Sequence, residues 1–306
     1  MTDRIILVTG ATGAQGGATV NALLDTGFRV RALVRDPSAP GPSALAARGV
    51  ELCKGNFDDP DSLAAAADGA WGVFSVQLPP TPGDLESEVR TGRHLIEAAR
   101  QAGVEMFVHT SVARAGDQTQ FVDWDAGRWW PDYWNGKSGV NDLVRQAGFP
   151  HWVILKPAFM MDNFIPPKVA YMFPGFARGA IETAMKPDTR LDLIAAADIG
   201  RFAAAAFADP ARFDGREIDL AAESLTMTQV AEVLSAVSGK PVAARSMKGA
   251  DARAAGVMPG LVESQQWANV EGYKVDLDRA NGHGITLERF ADWAARRRDR
   301  IEIGVA

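Results

Sequence analysis

The sequence predicts an α/β protein: a doubly wound parallel sheet followed by a smaller, mixed α/β C-terminal lobe. Three observations lead there. Short apolar runs alternate with stretches of helical apolar spacing through the first 157 residues. A glycine-rich loop separates the first run from the first helix. After Pro157 the alternation stops, and the chain turns rich in Pro, Met and Phe.

Taken in order, RIILVT over 4–9 is short and apolar, the signature of a buried strand. Val20, Leu23 and Leu24 fall at helical spacing, giving a helix over 18–26 that Gly27 closes. Further strands fall at 28–34, 50–54, 72–76, 106–110 and 152–155. Helices fall between them at 61–68, capped by Asp61 or Ser62, at 84–102 and at 135–146. Gly103 and Gly148 end the last two. Parallel strands joined through helices require right-handed crossovers and a sheet covered on both faces.

Beyond Pro157 the pattern is weaker. Residues 157–187 show no clean period. A helix over 197–208 reads as packing back onto the sheet, and another over 224–238 is capped by Thr226 or Thr228. A strand over 242–246 and a basic helix over 286–301 complete the tail. The expected division is a first domain over 1–157, with 196–234 partly returning to it, and a second lobe from 158–195 and 235–306.

Composition narrows the function. With 47% hydrophobic and 23% charged residues, the chain can bury a full core without disulfides or structural metal. A net charge of −6 argues against a general nucleic-acid binder. Cys53 is the one cysteine and the four histidines are scattered, so no disulfide within the chain and no zinc pattern is expected. The start MTDRIILVTG lacks the basic and apolar regions of a signal peptide, and no apolar run is long enough to span a membrane. The expectation is a cytoplasmic protein.

Gly10, Gly13 and Gly16 follow a strand and open a helix. In that setting Gly10 permits a tight turn, Gly13 lets backbone N–H groups approach a pyrophosphate, and Gly16 lets helix and strand pack closely. The helix N-terminus favours the anion. Arg35 ends the second strand, where an acidic residue would hold a ribose 2′-hydroxyl; a basic one suits a 2′-phosphate. Arg29 and Arg31 read as a solvated face.

The loop TGATGAQGG, the strand end VRALVRDP and GVELCKGNFDDPDSLAAAADGAWGVFSV together resemble the NmrA-like family of atypical short-chain dehydrogenase/reductases. The resemblance runs on through EVRTGRHLIEAARQAGVEMFVHTSV, YWNGKSGVNDLVRQAGFPHWVILKPAFMMDNF, ADIGRFAAAAF and MPGLVESQQWANVEGY. It implies an NADP-binding Rossmann lobe, preferring NADP(H) over NAD(H), and a small substrate lobe. By matching position, Gly10, Thr12, Gly13, Ala14, Gln15 and Gly16 would serve the pyrophosphate and Arg35 the 2′-phosphate. Asn56 and Phe57 would border the adenine, Gln77 and Leu78 the ribose, and Pro157 and Phe159 the nicotinamide. Trp134, Met160 and Asn163 would face the substrate. Two departures stand out. The family commonly has Gly-Asp after the third strand where this chain has Gly55-Asn56, and Asp36 to Ala39 add no basic charge beside Arg35.

The family holds both reductases and non-catalytic cofactor sensors. Tyr133 and Lys137 form Y-x-x-x-K, which puts both on one helix face. The ammonium can stabilise a tyrosinate, so that Tyr133 exchanges a proton at a carbonyl oxygen, and Lys137 can also bond the nicotinamide ribose. Ser111, after the fifth strand, would hydrogen-bond the acceptor. Trp124, Trp129, Trp130 and Trp134 cluster beside Tyr133, either as a lid over an aromatic substrate or as anchors to the second lobe. Phe159, Met160, Met161, Met172 and Phe173 form an apolar wall or plain core. Cys53 reads as inert and Arg296 to Arg298 as solvated. The leading expectation is an NADPH-dependent oxidoreductase acting on an apolar, aromatic carbonyl, quinone or activated alkene, with a small-molecule partner and room for a homodimer. The alternative is a redox sensor acting through partner proteins.

Overall fold

The computed structural model describes residues 3–81 and 83–304. The first half alternates as expected except at two points: β1 (Ile5–Val8), α1 (Ala14–Asp25), β2 (Arg29–Val34), α2 (Pro40–Ala46), β3 (Glu51–Lys54), α3 (Pro60–Ala67), β4 (Gly72–Ser75), α4 (Ser87–Gln101), β5 (Met106–Thr110), α5 (Pro131–Gln146) and β6 (His151–Pro157). No helix is expected over α2, and the cap of α3 is Asp59 rather than Asp61 or Ser62. Then come β7 (Phe159–Met160), α6 (Val169–Met172), β8 (Ala180–Thr183), β9 (Arg190–Ile194), α7 (Ala196–Ala208), α8 (Pro210–Phe213), β10 (Arg216–Leu220) and β11 (Glu223–Thr226). The chain ends through α9 (Met227–Ser238), β12 (Ala243–Ser246), α10 (Gly249–Ala254), α11 (Pro259–Ala268), α12 (Leu277–Asn281) and α13 (Phe290–Arg296).

Two compact units result, each assembled from three segments. Unit 1 takes the residues up to Gly116, then Asp132–Lys156 and Ala196–Ile218; unit 2 takes Asp117–Pro131, Pro157–Ala195 and the residues from Asp219 on. Against the expected division, 117–131 and 219–234 both belong to unit 2. The first segment is tied there by Glu263 and Glu271, which accept from the Trp129 and Val122 N–H groups at 2.6 and 2.9 Å. The second carries β11, which pairs with β9, and α9, whose Met227, Val230 and Leu234 enter the unit 2 core.

Unit 1 holds a seven-stranded sheet of order β10-β6-β5-β4-β1-β2-β3, with β1 parallel to β2 and β4, and β4, β5 and β6 parallel in turn. The strand order reverses between β1 and β4, and in such sheets the crevice at that reversal receives ligands at the strands' carboxyl ends. Ile6, Leu7 and Val8 of β1 are fully buried because helices cover both faces. One cover is α7, whose Phe207 fits against Gly72, where an added Cβ would stand 2.7 Å from the ring. The same helix crosses α1 at Gly200, where a Cβ would come within 2.5 Å of the Ala18 carbonyl oxygen.

Unit 2 has a three-stranded sheet, β11-β9-β7, and a parallel pair, β12-β8. Its core stacks Phe164 on Phe173 at 5.2 Å and packs Phe290 against Phe164 at 5.4 Å. Here the sequence reading needs correction at two helices. The expected helix over 224–238 begins instead as strand β11; the helix proper starts at Met227 behind a capping box between Thr226 and Gln229. The expected basic helix over 286–301 shrinks to Phe290–Arg296, because the Glu223 carboxylate, a tertiary cap, accepts the Phe290 N–H. Arg296 is not merely solvated: its Nε donates to Glu288 at 2.8 Å.

Candidate active site

The glycine loop leads from β1 into α1. Gly10 takes a left-handed φ of +61°, and the Gly13 N–H donates back to the Gly10 carbonyl at 2.8 Å. A Cβ on Gly16 would lie 2.2 Å from that carbonyl oxygen, so only glycine fits. Gly13 caps α1 without a side-chain hydrogen bond, and the first turn carries no acidic residue. The positive end of α1 therefore keeps its N–H groups for an anion. Thr12 is exposed, and Ala14 and Gln15 are half-buried. Gln15 is fixed from below, since the Thr110 hydroxyl at the end of β5 donates to its Oε1 at 2.5 Å. Thr9 clamps β1 to β4: its hydroxyl donates to the Phe74 carbonyl at 3.2 Å and accepts the Val76 N–H at 2.9 Å.

Arg35 is exposed at the end of β2. Arg31 differs from the solvated reading; its guanidinium bonds Glu51 at 2.6 Å and the Ala66 and Asp68 carbonyls, tying β2 to β3 and α3. Asn56 is exposed, but its Oδ1 accepts the Asp58 N–H at 2.8 Å, so part of its acceptor capacity shapes the turn. The Phe57 carbonyl is held by His94 of α4 at 2.8 Å. After β4, Gln77 is buried with its Nε2 donating to Ser75 at 3.0 Å, while Leu78 is 80% exposed.

The polar cluster beneath these loops contains groups that sequence reasoning missed. Ser75 Oγ lies 3.1 Å from His109 Nδ1, near the end of β5. His109 is fully buried, and that burial, with the Lys137 charge nearby, holds its imidazole down to about 3. Ser111 is buried, and its hydroxyl has no protein partner. On α5, Lys137 Nζ lies 5.8 Å from the Tyr133 ring centroid, and Tyr133 meets Trp134 edge-on at 5.4 Å. Trp134 is buried. The nearest carboxylate to Lys137 is Glu88 in the first turn of α4, at 2.6 Å. Burial pushes the Glu88 carboxyl up, and the Lys137 ammonium only partly offsets this. An acidic residue at a helix start reads from sequence as a dipole partner, so nothing marked Glu88 as buried.

In unit 2, Pro157 is buried, Phe159 and Met160 are half-buried, and Asn163 is buried. Met161, Met172 and Phe173 belong to the core. Phe159, Phe173, Trp267 and Tyr273 line an apolar recess of this unit. The tryptophan-rich segment acts as an anchor: Trp129 and Trp130 both donate backbone N–H groups to Glu263, and the Trp129 indole donates to the Val122 carbonyl at 2.6 Å. Cys53 is half-buried, and burial raises its thiol. Among the described residues no cluster of His, Cys, Asp and Glu could hold a metal, and no helix is long and apolar enough to cross a membrane.

A reversed sheet order with a bare helix N-terminus at the reversal defines a Rossmann-like α/β protein built to receive a phosphate-bearing ligand. The chain belongs to the NmrA-like family, whose model matches residues 2–286. It is 31% identical over 240 residues to the NAD(P)H azoreductase of Xenophilus azovorans, spanning 78% of this chain and 75% of that one. It is 29% identical over 258 residues to the NmrA-like family domain-containing oxidoreductase hkm9 of Aspergillus hancockii, spanning 78% and 74%. Among solved structures it is similar to the NADPH-dependent quinone oxidoreductase QOR2 of Escherichia coli, with a TM-score of 0.74 at 21% identity over 95% of this chain and 99% of that one. The chain is an oxidoreductase of this family.

Proposed function

We propose that this protein is an NADPH-dependent reductase of an apolar, aromatic acceptor, a carbonyl, quinone or activated alkene. The observation that carries the reading is the α1 N-terminus, free of acidic residues and walled by Gly10, Gly13 and Gly16, in the same unit as an exposed Arg35. The α1 N-terminus suits the dinucleotide's pyrophosphate, since Gly13 caps it with no side-chain hydrogen bond and no acidic residue stands in its first turn. Thr12 to Gly16 would hold the pyrophosphate, Arg35 the 2′-phosphate, Asn56 and Phe57 the adenine, Gln77 and Leu78 the ribose side, and Pro157 and Phe159 the nicotinamide. When bound, the cofactor supplies a hydride.

The chain's own groups supply the rest. The Tyr133 hydroxyl delivers a proton to the acceptor oxygen, and Lys137 steadies the charge left behind. Ser111, buried with a hydroxyl lacking any protein partner, donates to the same oxygen. Trp134, Met160 and Asn163 are assigned to the acceptor. The name of the NAD(P)H azoreductase relative supports reduction by a nicotinamide cofactor. The test is NADPH oxidation followed at 340 nm against aromatic ketones, quinones and enones. Turnover with at least one class is expected; tight NADPH binding with no turnover across the panel overturns the reading.

A further inference from the structure

We infer that Glu88 is the positioning residue for Lys137, a buried carboxylate that fixes where the ammonium stands when the cofactor binds. This rests on the role given to Lys137 above. The pair is closed at 2.6 Å with side-chain exposures of 8% for Lys137 and 1% for Glu88. Such a pair differs in kind from the surface pairs elsewhere in the chain, which water screens. The sequence also makes room for it. Gly136, next to Lys137, has no side chain, and a Cβ there would lie 2.8 Å from Glu88 Oε2. Gly92 of α4 and Gly139 of α5 bring the two helices close in the same way, against Val140 and Val89.

The chemistry explains why a carboxylate stands there. A lysine side chain has several soft torsions, and an ammonium in a buried site swings to whichever acceptor is nearest. One oxygen of Glu88 engages one of its three donors and leaves two for a ligand's hydroxyls. Glu88 Oε2 is buried with no hydrogen-bond partner, so the carboxylate itself depends on Lys137. Lys137 is the charged group that acts on Glu88. From β5 the ammonium is faced by His109, which stays neutral. Among the described residues the ion-pair anchor of Lys137 is Glu88, on α4.

The test is a double-mutant cycle read by NADP+ binding, measured by calorimetry in the absence of any acceptor. Wild type, Glu88→Gln, Lys137→Met and the double variant are compared at pH 8 and pH 5.5, each with its unfolding midpoint recorded. Glu88→Gln should weaken binding about tenfold at pH 8, while adding it to Lys137→Met should change binding less than about twofold. Wild type should lose affinity on acidification more steeply than Glu88→Gln, because burial raises the Glu88 carboxyl and its protonation removes the charge that holds Lys137. The cofactor's 2′-phosphate titrates there too, equally in all four proteins, so the difference between them is what counts. If Glu88→Gln does not fold, Glu88→Asp, which keeps the charge and shortens the reach, replaces it in the cycle. An equal loss with and without Lys137, or no loss at all, overturns the inference. A wild type that fails to bind NADP+ overturns the proposed function itself.

Discussion

A β-carbon on Gly16 would stand 2.2 Å from the Gly10 carbonyl oxygen and 2.7 Å from that of Thr9. Both obstacles are backbone, so neither can swing aside. Gly16→Ala should cost about 3 kcal/mol or more of stability and abolish tight NADP+ binding. Gly13→Ala, whose Cβ would meet the same oxygen at 3.2 Å, should be milder on stability. Thermal unfolding and calorimetric titration of the two variants check this; equal melting points would contradict the geometry.

Arg35 is exposed, with no further basic residue from Asp36 to Ala39. The proposed preference for a 2′-phosphate would rest on one guanidinium. Arg35→Ala should weaken NADP+ binding roughly 10- to 100-fold and leave NAD+ nearly unchanged. A parallel loss for both cofactors would remove Arg35 from the 2′-phosphate.

Lys137→Met leaves the Glu88 carboxylate buried and alone, which should cost about 3–5 kcal/mol at pH 8. Glu88 in the folded protein already holds its proton to higher pH than its ordinary 4.5. Protonation therefore favours the folded form, and the cost should shrink as pH falls through that raised range. Urea unfolding at pH 8 and pH 5 reads it; a loss independent of pH would be the wrong sign of physics for this pair.

His109 titrates near 3 in the folded protein against an ordinary 6.5. Below 6.5 the unfolded chain takes a proton that the fold refuses until about 3, so stability drains away across that window. The loss is on the order of 3–5 kcal/mol at its full extent. In His109→Gln that term is gone, and the gap in stability between wild type and variant should narrow from pH 7 to pH 4. A constant gap would place the acid sensitivity elsewhere.

Tyr133→Phe should lower kcat/KM about a hundredfold or more while leaving NADP+ affinity within a factor of about two. Steady-state kinetics with the best acceptor decides it. If kcat/KM is unmoved, Tyr133 is a wall of the site and Lys137 carries the chemistry without it.

Unit 1 was legible because its signals are local. Apolar runs, closing glycines and a loop between strand and helix each act within a few residues, and β1 to β6 fall where those signals put them. The misses share a cause. No element is expected over PGPSALA, where α2 forms, although its prolines suit a helix start. Strands β9, β10 and β11 are short, and their pairing partners are distant in sequence. The extent of α13 was decided by Glu223, 67 positions earlier. The site shows the same divide. The glycine loop was visible, whereas Glu88 and His109 became visible only through burial, which α5 imposes on the first. In the tryptophan segment, Glu263 accepts the Trp129 and Trp130 backbone N–H groups across 134 and 133 positions, a contact no local signal shows.

The three-segment make-up of each unit also sets an order of assembly as the chain leaves the ribosome. Unit 1 has all its residues once Ile218 has emerged. Unit 2 receives its first residues at Asp117, yet its core waits for Phe290, Trp293 and Ile303 almost at the end. During that interval Phe164 and Phe173 are already made while Phe290, the ring that packs against Phe164, is not. The nascent protein thus passes through a stage with one finished unit and one apolar, half-made one, the point in its life at which a chaperone has something to hold.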